Sequence, residues 1–136
     1  MIQKILVAVD GSDNNKIAVE MAIEAAKKYG AALTAITVFD SSRNEGMNYQ
    51  KEFVQETNDK CLEFVQIRAR EEGCALSTLE TFGNPANCIL EAAKDFDLVV
   101  CGTLGRTGMK RLLMGSVSEK LCRFSPCPVM VARDKN

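Results

Sequence analysis

The chain has no histidine and no tryptophan among its 136 residues, and only 6% of them are aromatic. Without histidine, the commonest general base at neutral pH and half of the usual zinc-ligand repertoire are missing. Without tryptophan and with few other rings, a platform for stacking nucleic-acid bases is not expected. A basic excess is also missing: 17 Lys and Arg stand against 18 Asp and Glu, for a net charge of −1. That balance argues against a general nucleic-acid binder. No apolar run approaches the length of a membrane span, so no membrane partner is expected. None of the six cysteines (Cys61, Cys74, Cys88, Cys101, Cys122 and Cys127) forms a C-x-x-C pair. Cys88 and Cys101 lie in apolar runs, where cysteine acts as a small hydrophobe. Ile5 to Val9 is too short for a signal-peptide core and reads as a strand, so the thiols are expected to be reduced and the protein soluble and cytoplasmic. The spacing of Cys122 and Cys127 leaves redox sensing open.

What is present is an ordinary globular balance, 46% apolar and 26% charged. A chain of this length suits a single domain over residues 1–136, which buries about two-thirds of its unfolded surface without disulfides or metal. Apolar β-branched runs alternate with helical periods. Strands are expected at Lys4 to Val9, Leu33 to Phe39, Leu76 to Thr81, Leu98 to Cys101 and Val129 to Ala132. Between the first two, Ile17, Ala18, Met21, Ala22 and Ala25 share a helical face, and Gly30 supplies the C-cap. A long helix is expected from Gln50 to Glu72, with Val54, Cys61, Val65 and Ala69 inward. Asn84-Pro85 opens a short helix, and Ser116 to Phe124 forms the last. The alternation predicts an α/β fold, a doubly wound five-stranded parallel sheet with right-handed crossovers and helices on both faces; the strand order expected for it is 3-2-1-4-5. Ligands of such sheets bind past the carboxyl ends of the strands, where strand order reverses. Two turns lie at such ends, Asp10-Gly11-Ser12 and the segment that begins at Gly102.

That segment runs Gly102-Thr103-Leu104-Gly105-Arg106-Thr107-Gly108-Met109-Lys110-Arg111-Leu112-Leu113-Met114-Gly115-Ser116 and contains G-x2-G-x9-G-S/T. Glycines let backbone N–H groups come close to a phosphate and can take φ > 0. Gly115-Ser116 opens a helix whose first N–H groups lack partners and favour an anion. Arg106, Lys110 and Arg111 add positive charge. The segment is neither a Walker A loop nor a dinucleotide fingerprint. Simpler readings exist for each residue. Ser116-Val117-Ser118-Glu119 fits an S-x-x-E capping box, Asp10 fits a turn or cap residue, and the basic trio fits a solvated face. Their placement together at two strand ends favours a phosphate site.

The whole chain resembles the universal stress protein family. The resemblance rests on Ile5-Leu6-Val7-Ala8-Val9-Asp10-Gly11-Ser12, Gly83-Asn84-Pro85, Asp97-Leu98-Val99-Val100, the glycine segment, Gly115 to Leu121, and Cys127-Pro128-Val129-Met130-Val131. Members with the glycine motif resemble ATP binders. The resemblance implies that Ala8 and Asp10 flank the adenosine, with the Asp10 carboxylate toward the ribose. Val38 would meet the adenine. Gly102, Gly105, Gly115 and Ser116 would hold ribose and phosphates, with Val117 beside them and Mg²⁺ accompanying the phosphates. Leu104 stands where relatives often have a histidine or another polar residue; it can pack on a nucleotide but cannot donate to a phosphate.

Three functions follow: an ATP-binding stress-response or signalling protein, a slow ATPase or related nucleotide enzyme, and a dimeric interaction module with a vestigial pocket. Asp10, Asp13 and Asp40 could hold a metal or polarise water, but no spacing marks a base. The intact glycine motif favours the first. The apolar run Val129-Met130-Val131 should form a sheet edge and pair with a second copy, as the resemblance also implies.

Overall fold

The computed structural model describes residues 1–42, 48–103 and 114–134. Its elements alternate along the chain: β1 (Lys4–Ala8), α1 (Lys16–Tyr29), β2 (Ala32–Asp40), α2 (Lys51–Glu71), β3 (Leu76–Gly83), α3 (Pro85–Ala93), β4 (Leu98–Gly102), α4 (Ser116–Phe124) and β5 (Val129–Ala132). All strand pairs are parallel, and the order is β3-β2-β1-β4-β5, the one expected.

Side chains on successive strand residues point to opposite faces, which divides the core in two. Ile5, Val7, Leu33, Ala35, Leu98 and Val100 pack under α1 and α2. Leu6, Ile36, Val99 and Cys101 pack on the other face with Ile89 and Ala93 of α3 and Leu121 of α4. The strands β1 and β4 are buried on both faces, which accounts for their unbroken apolar runs.

Three elements differ from the pattern. In α2, Val54 is only partly buried, while Asn58 and Leu62 are buried with Cys61, Val65 and Ala69. The strand β3 runs to Gly83 because Thr81, Phe82 and Gly83 pair with Val38, Phe39 and Asp40; its mostly exposed, polar make-up hides that length. The buried stripe of α1 is wider than expected. It adds Val19, Ile23 and Ala26, while Ile17 and Met21 are only partly covered. This helix lies on β1, β4 and β5 and also against α2, so two adjacent sides are buried.

The local punctuation follows its chemistry. Gly30 sits at φ +62° and its N–H bonds Ala26 O, a left-handed cap that glycine adopts without a Cβ penalty. Asn84 Oδ1 accepts from Asn87 N at 3.0 Å, with Pro85 at the first helical position.

Candidate functional site

Strand order reverses between β1 and β4, which open side by side at their carboxyl ends. Continuing their register from Val7↔Val100 sets Val9 level with Gly102. The turn after β1 is tied down by its own side chains. Asp10 Oδ1 accepts from Ser12 N at 2.9 Å and from Ser12 Oγ at 2.7 Å. Asn15 is buried and spans the turn: its Nδ2 donates to Ala8 O at 2.8 Å and its Oδ1 accepts from Asp10 N at 3.3 Å. From behind, Cys61 Sγ on α2 donates to Asp10 O at 3.3 Å. Neither Asn15 nor the bond from Cys61 was evident from the motif. A polar side chain at a helix entry was the only sequence signal for Asn15, and no local signal existed for a contact 51 residues away.

Gly11 takes φ +78°, and a Cβ there would lie 3.1 Å from Cys61 Cα. Glycine is needed at this turn for the backbone angle and for the close approach of α2. Asp10, Gly11 and Ser12, with Thr57, Lys60 and Cys61, line a recess of about 270 Å³.

The second turn is closed by one backbone contact. Gly115 N donates to Thr103 O at 2.6 Å, which anchors the start of α4 to the end of β4 across a separation of 12 residues. Ser118 Oγ lies 3.2 Å from Thr103 O and 3.0 Å from Gly115 O, reinforcing the anchor. The capping box is not formed. Gly115 is the N-cap, no side chain caps this end, and Ser116 is the first helical residue. Glu119 instead faces Arg123 at 3.4 Å, one turn along. The anchor moves the helix start one residue earlier than S-x-x-E implies, so the Ser116 hydroxyl is not used as a cap. Gly115 has φ −66° and ψ 160°, an extended conformation open to any residue. Positive φ is therefore not why glycine stands there.

Ala8, Val38 and Val117 are partly buried and pack against the same core cluster, on the face with α3 and α4. Val38 lies two residues beyond Ile36, the partner of the last β1 residue, and so overhangs the end of that strand. Gly102 is the last residue of β4 and pairs with Ala132. Thus Ala8, Val38 and Val117 lie on one face of the sheet, Gly102, Gly115 and Ser116 at the β4–α4 junction, and Asp10 just past the end of β1. Leu104 and Gly105, with Arg106, Lys110 and Arg111, lie outside the described residues.

Among the described residues, no three Cys, Asp or Glu side chains gather as a metal site. Asp10, Asp13 and Asp40 therefore do not form one: Asp13 faces Lys16 at 3.1 Å, and Asp40 Oδ1 accepts from Ser42 N at 3.0 Å. None of the six cysteines is in a disulfide. Burial, helped by nearby Cys122, pushes the Cys101 thiol up to about 12, so it is protonated and unreactive at neutral pH. No helix among the described residues is long and apolar enough to cross a membrane.

Comparison with known proteins agrees with this fold. The universal stress protein family model matches residues 1–133. A universal stress protein of Methanocaldococcus jannaschii is 37% identical, the match covering 98% of this chain and 83% of that one. Among solved structures, a universal stress protein of Lactobacillus plantarum is 27% identical with a TM-score of 0.74, over 97% of this chain and 98% of that chain. One from Archaeoglobus fulgidus, solved in complex with dAMP, shares the fold at 22% identity and a TM-score of 0.75, over 98% of this chain and 100% of that chain.

Proposed function

The chain belongs to the universal stress protein family, and we propose that it binds ATP and acts as a cytoplasmic, nucleotide-dependent stress-response or signalling protein. The observation that carries this reading is the bond from Gly115 N to Thr103 O. It sets the side-chain-uncapped start of α4 at the strand-order reversal, where first-turn N–H groups and the helix dipole favour phosphate. On this reading Ala8 and Asp10 flank the adenosine with the Asp10 carboxylate toward the ribose, Val38 meets the adenine, and Gly102, Gly115 and Ser116 hold ribose and phosphates with Val117 beside them; Gly105 and Leu104 of the glycine motif are assigned to the same ligand. The dAMP complex of the Archaeoglobus fulgidus protein supports an adenine nucleotide. No cluster of three acidic or cysteine ligands is present among the described residues, so Mg²⁺ would be held mainly by the phosphates and water. The Asp10 carboxylate is engaged by Ser12, which supports binding rather than hydrolysis.

Calorimetry with ATP and Mg²⁺ is expected to give saturable heat. At a hundred times Kd, ATP should stabilise the fold by about 2.7 kcal/mol. Absence of any heat or melting shift across millimolar adenine nucleotides rejects the reading.

The same proposal includes a homodimer through β5. This strand is an edge of the sheet, and Val129, Met130 and Val131 are half-buried. Pro128 O accepts from Val99 N, so by alternation the N–H groups of Val129 and Val131 point away from β4. Sedimentation should give twice the monomer mass, and Val129→Pro, which removes an outward donor without breaking the β4 ladder, should shift it to monomer. A wild-type monomer at high concentration defeats the dimer and leaves the nucleotide site untouched.

A further inference from the structure

We propose that the outer edge of β3, with the groove between it and α3, docks an extended segment of another protein that carries lysine or arginine at alternate positions. The inference is independent of the nucleotide site.

Among the described residues, β3 pairs only with β2, so its other side is a sheet edge. Ser41 N donates to Gly83 O, which turns the polar groups of Gly83, Thr81 and Leu79 toward β2. By alternation, the N–H and C=O groups of Thr78, Glu80 and Phe82 face outward. The strand is eight residues long and contains no lysine or proline. Long edges of this kind are templates for strand addition unless guarded.

The two faces beside this edge define the occupant. On the α3 side, a groove of about 540 Å³ is lined by Leu79, Thr81, Asn87, Glu91, Ala92 and Asp95 among others, and by no Lys or Arg among the described residues. Lys94 neutralises Glu91 in part, with Nζ to Oε2 at 2.8 Å, and Asp95 adds a second carboxylate to the lining. On the α2 side, Glu80 Oε1 accepts from Gln55 Nε2 at 3.0 Å. Next to it stand the exposed rings of Phe82 and Phe53, at 55% and 54% accessibility. The Phe82 ring stacks on Phe39 with centroids 5.4 Å apart, which fixes it as an anchor. A strand added to β3 would point alternate side chains at Glu91 and Asp95, where cations fit, and the rest at the rings, where apolar groups fit. A second copy of this chain fits poorly. Pairing two β3 edges would bring Glu80, Glu91 and Asp95 of one copy toward those of the other, and like charges across a ladder repel.

The test uses a fluorescein-labelled eight-residue peptide of alternating lysine and valine, with a glutamate–valine peptide as control. The lysine peptide is expected to bind saturably by anisotropy, and to slow hydrogen exchange at Thr78, Glu80 and Phe82. Its affinity should fall about tenfold or more between low and high salt. Asp95→Lys should weaken it by a similar factor, and so should Glu80→Pro, which removes one outward donor where an edge strand tolerates proline. Calorimetry with ATP should be unchanged in both variants, which reports their folding separately; if Glu80→Pro fails to fold, Asp95→Lys decides. The proposal is overturned by no saturable binding, by equal binding of the glutamate peptide, or by binding that leaves the β3 amides unprotected. Protection of those amides by raising protein concentration without peptide overturns it in favour of a second copy.

Discussion

Gly115→Asp is expected to abolish nucleotide binding while leaving the fold at least as stable as before. The two effects have opposite signs because they act on the same helix end. Gly115 is the N-cap of α4, in the extended conformation that a capping aspartate also adopts. An aspartate there would accept from first-turn N–H groups and meet the positive end of the helix dipole, adding a few tenths of a kcal/mol to about 1 kcal/mol. The same carboxylate would occupy the place proposed for a phosphate. Two unit charges about 4 Å apart at an effective dielectric near 20 repel by about 4 kcal/mol, so affinity should fall by roughly a hundredfold or more. Calorimetry with ATP and a thermal melt of the same sample read both effects. Unchanged affinity would place the phosphates elsewhere, and a large loss of stability would contradict the N-cap assignment.

The second large effect is on stability. Gly11→Val should cost about 2–5 kcal/mol, the sum of about 1–2 for a left-handed backbone with a Cβ and about 1–3 for overpacking. The overpacking arises because the new Cβ would lie 3.1 Å from Cys61 Cα and 3.6 Å from Lys60 O, both in α2. Backbone atoms of a helix cannot move aside as a flexible side chain can. Gly30→Val is the internal control: its φ is +62°, but a Cβ there meets nothing within 4 Å. Denaturant titration of both variants isolates the contact. If Gly11→Val proves no more costly than Gly30→Val, the close approach of α2 to the turn is refuted. Because Asp10 opens the same turn, nucleotide affinity in Gly11→Val should fall as well, on the reading proposed above.

The two glycines also show where motif reading succeeds and where it falls short. At Gly30 the local pattern was sufficient: a helical period ending in glycine calls for a left-handed cap, and the interaction closes within the last turn. At Gly115 the same kind of reading placed the helix start at Ser116 correctly but left Ser116 open to a capping box, whereas Gly115 is the N-cap and no side chain caps this end. The deciding bond runs to Thr103, beyond the reach of any local pattern. The bond from Cys61 to Asp10 O is a further example, and the extra length of β3 another, since its last residues pair only because β2 continues beside them.

By itself, the sequence determined the strands and helices, their alternation and the two turns that follow β1 and β4. These follow from period, turn chemistry and the handedness of crossovers, all of which act over short stretches of chain. Only the tertiary structure decided which groups meet at those turns: Asn15 spanning one, Gly115 bound to Thr103 at the other, and α2 pressed against Gly11. It also decided which edge stands beside an acidic groove. The physical reason is that hydrogen bonds and steric contacts depend on distances of a few ångströms between residues far apart in the chain, and such distances exist only once the layers have packed.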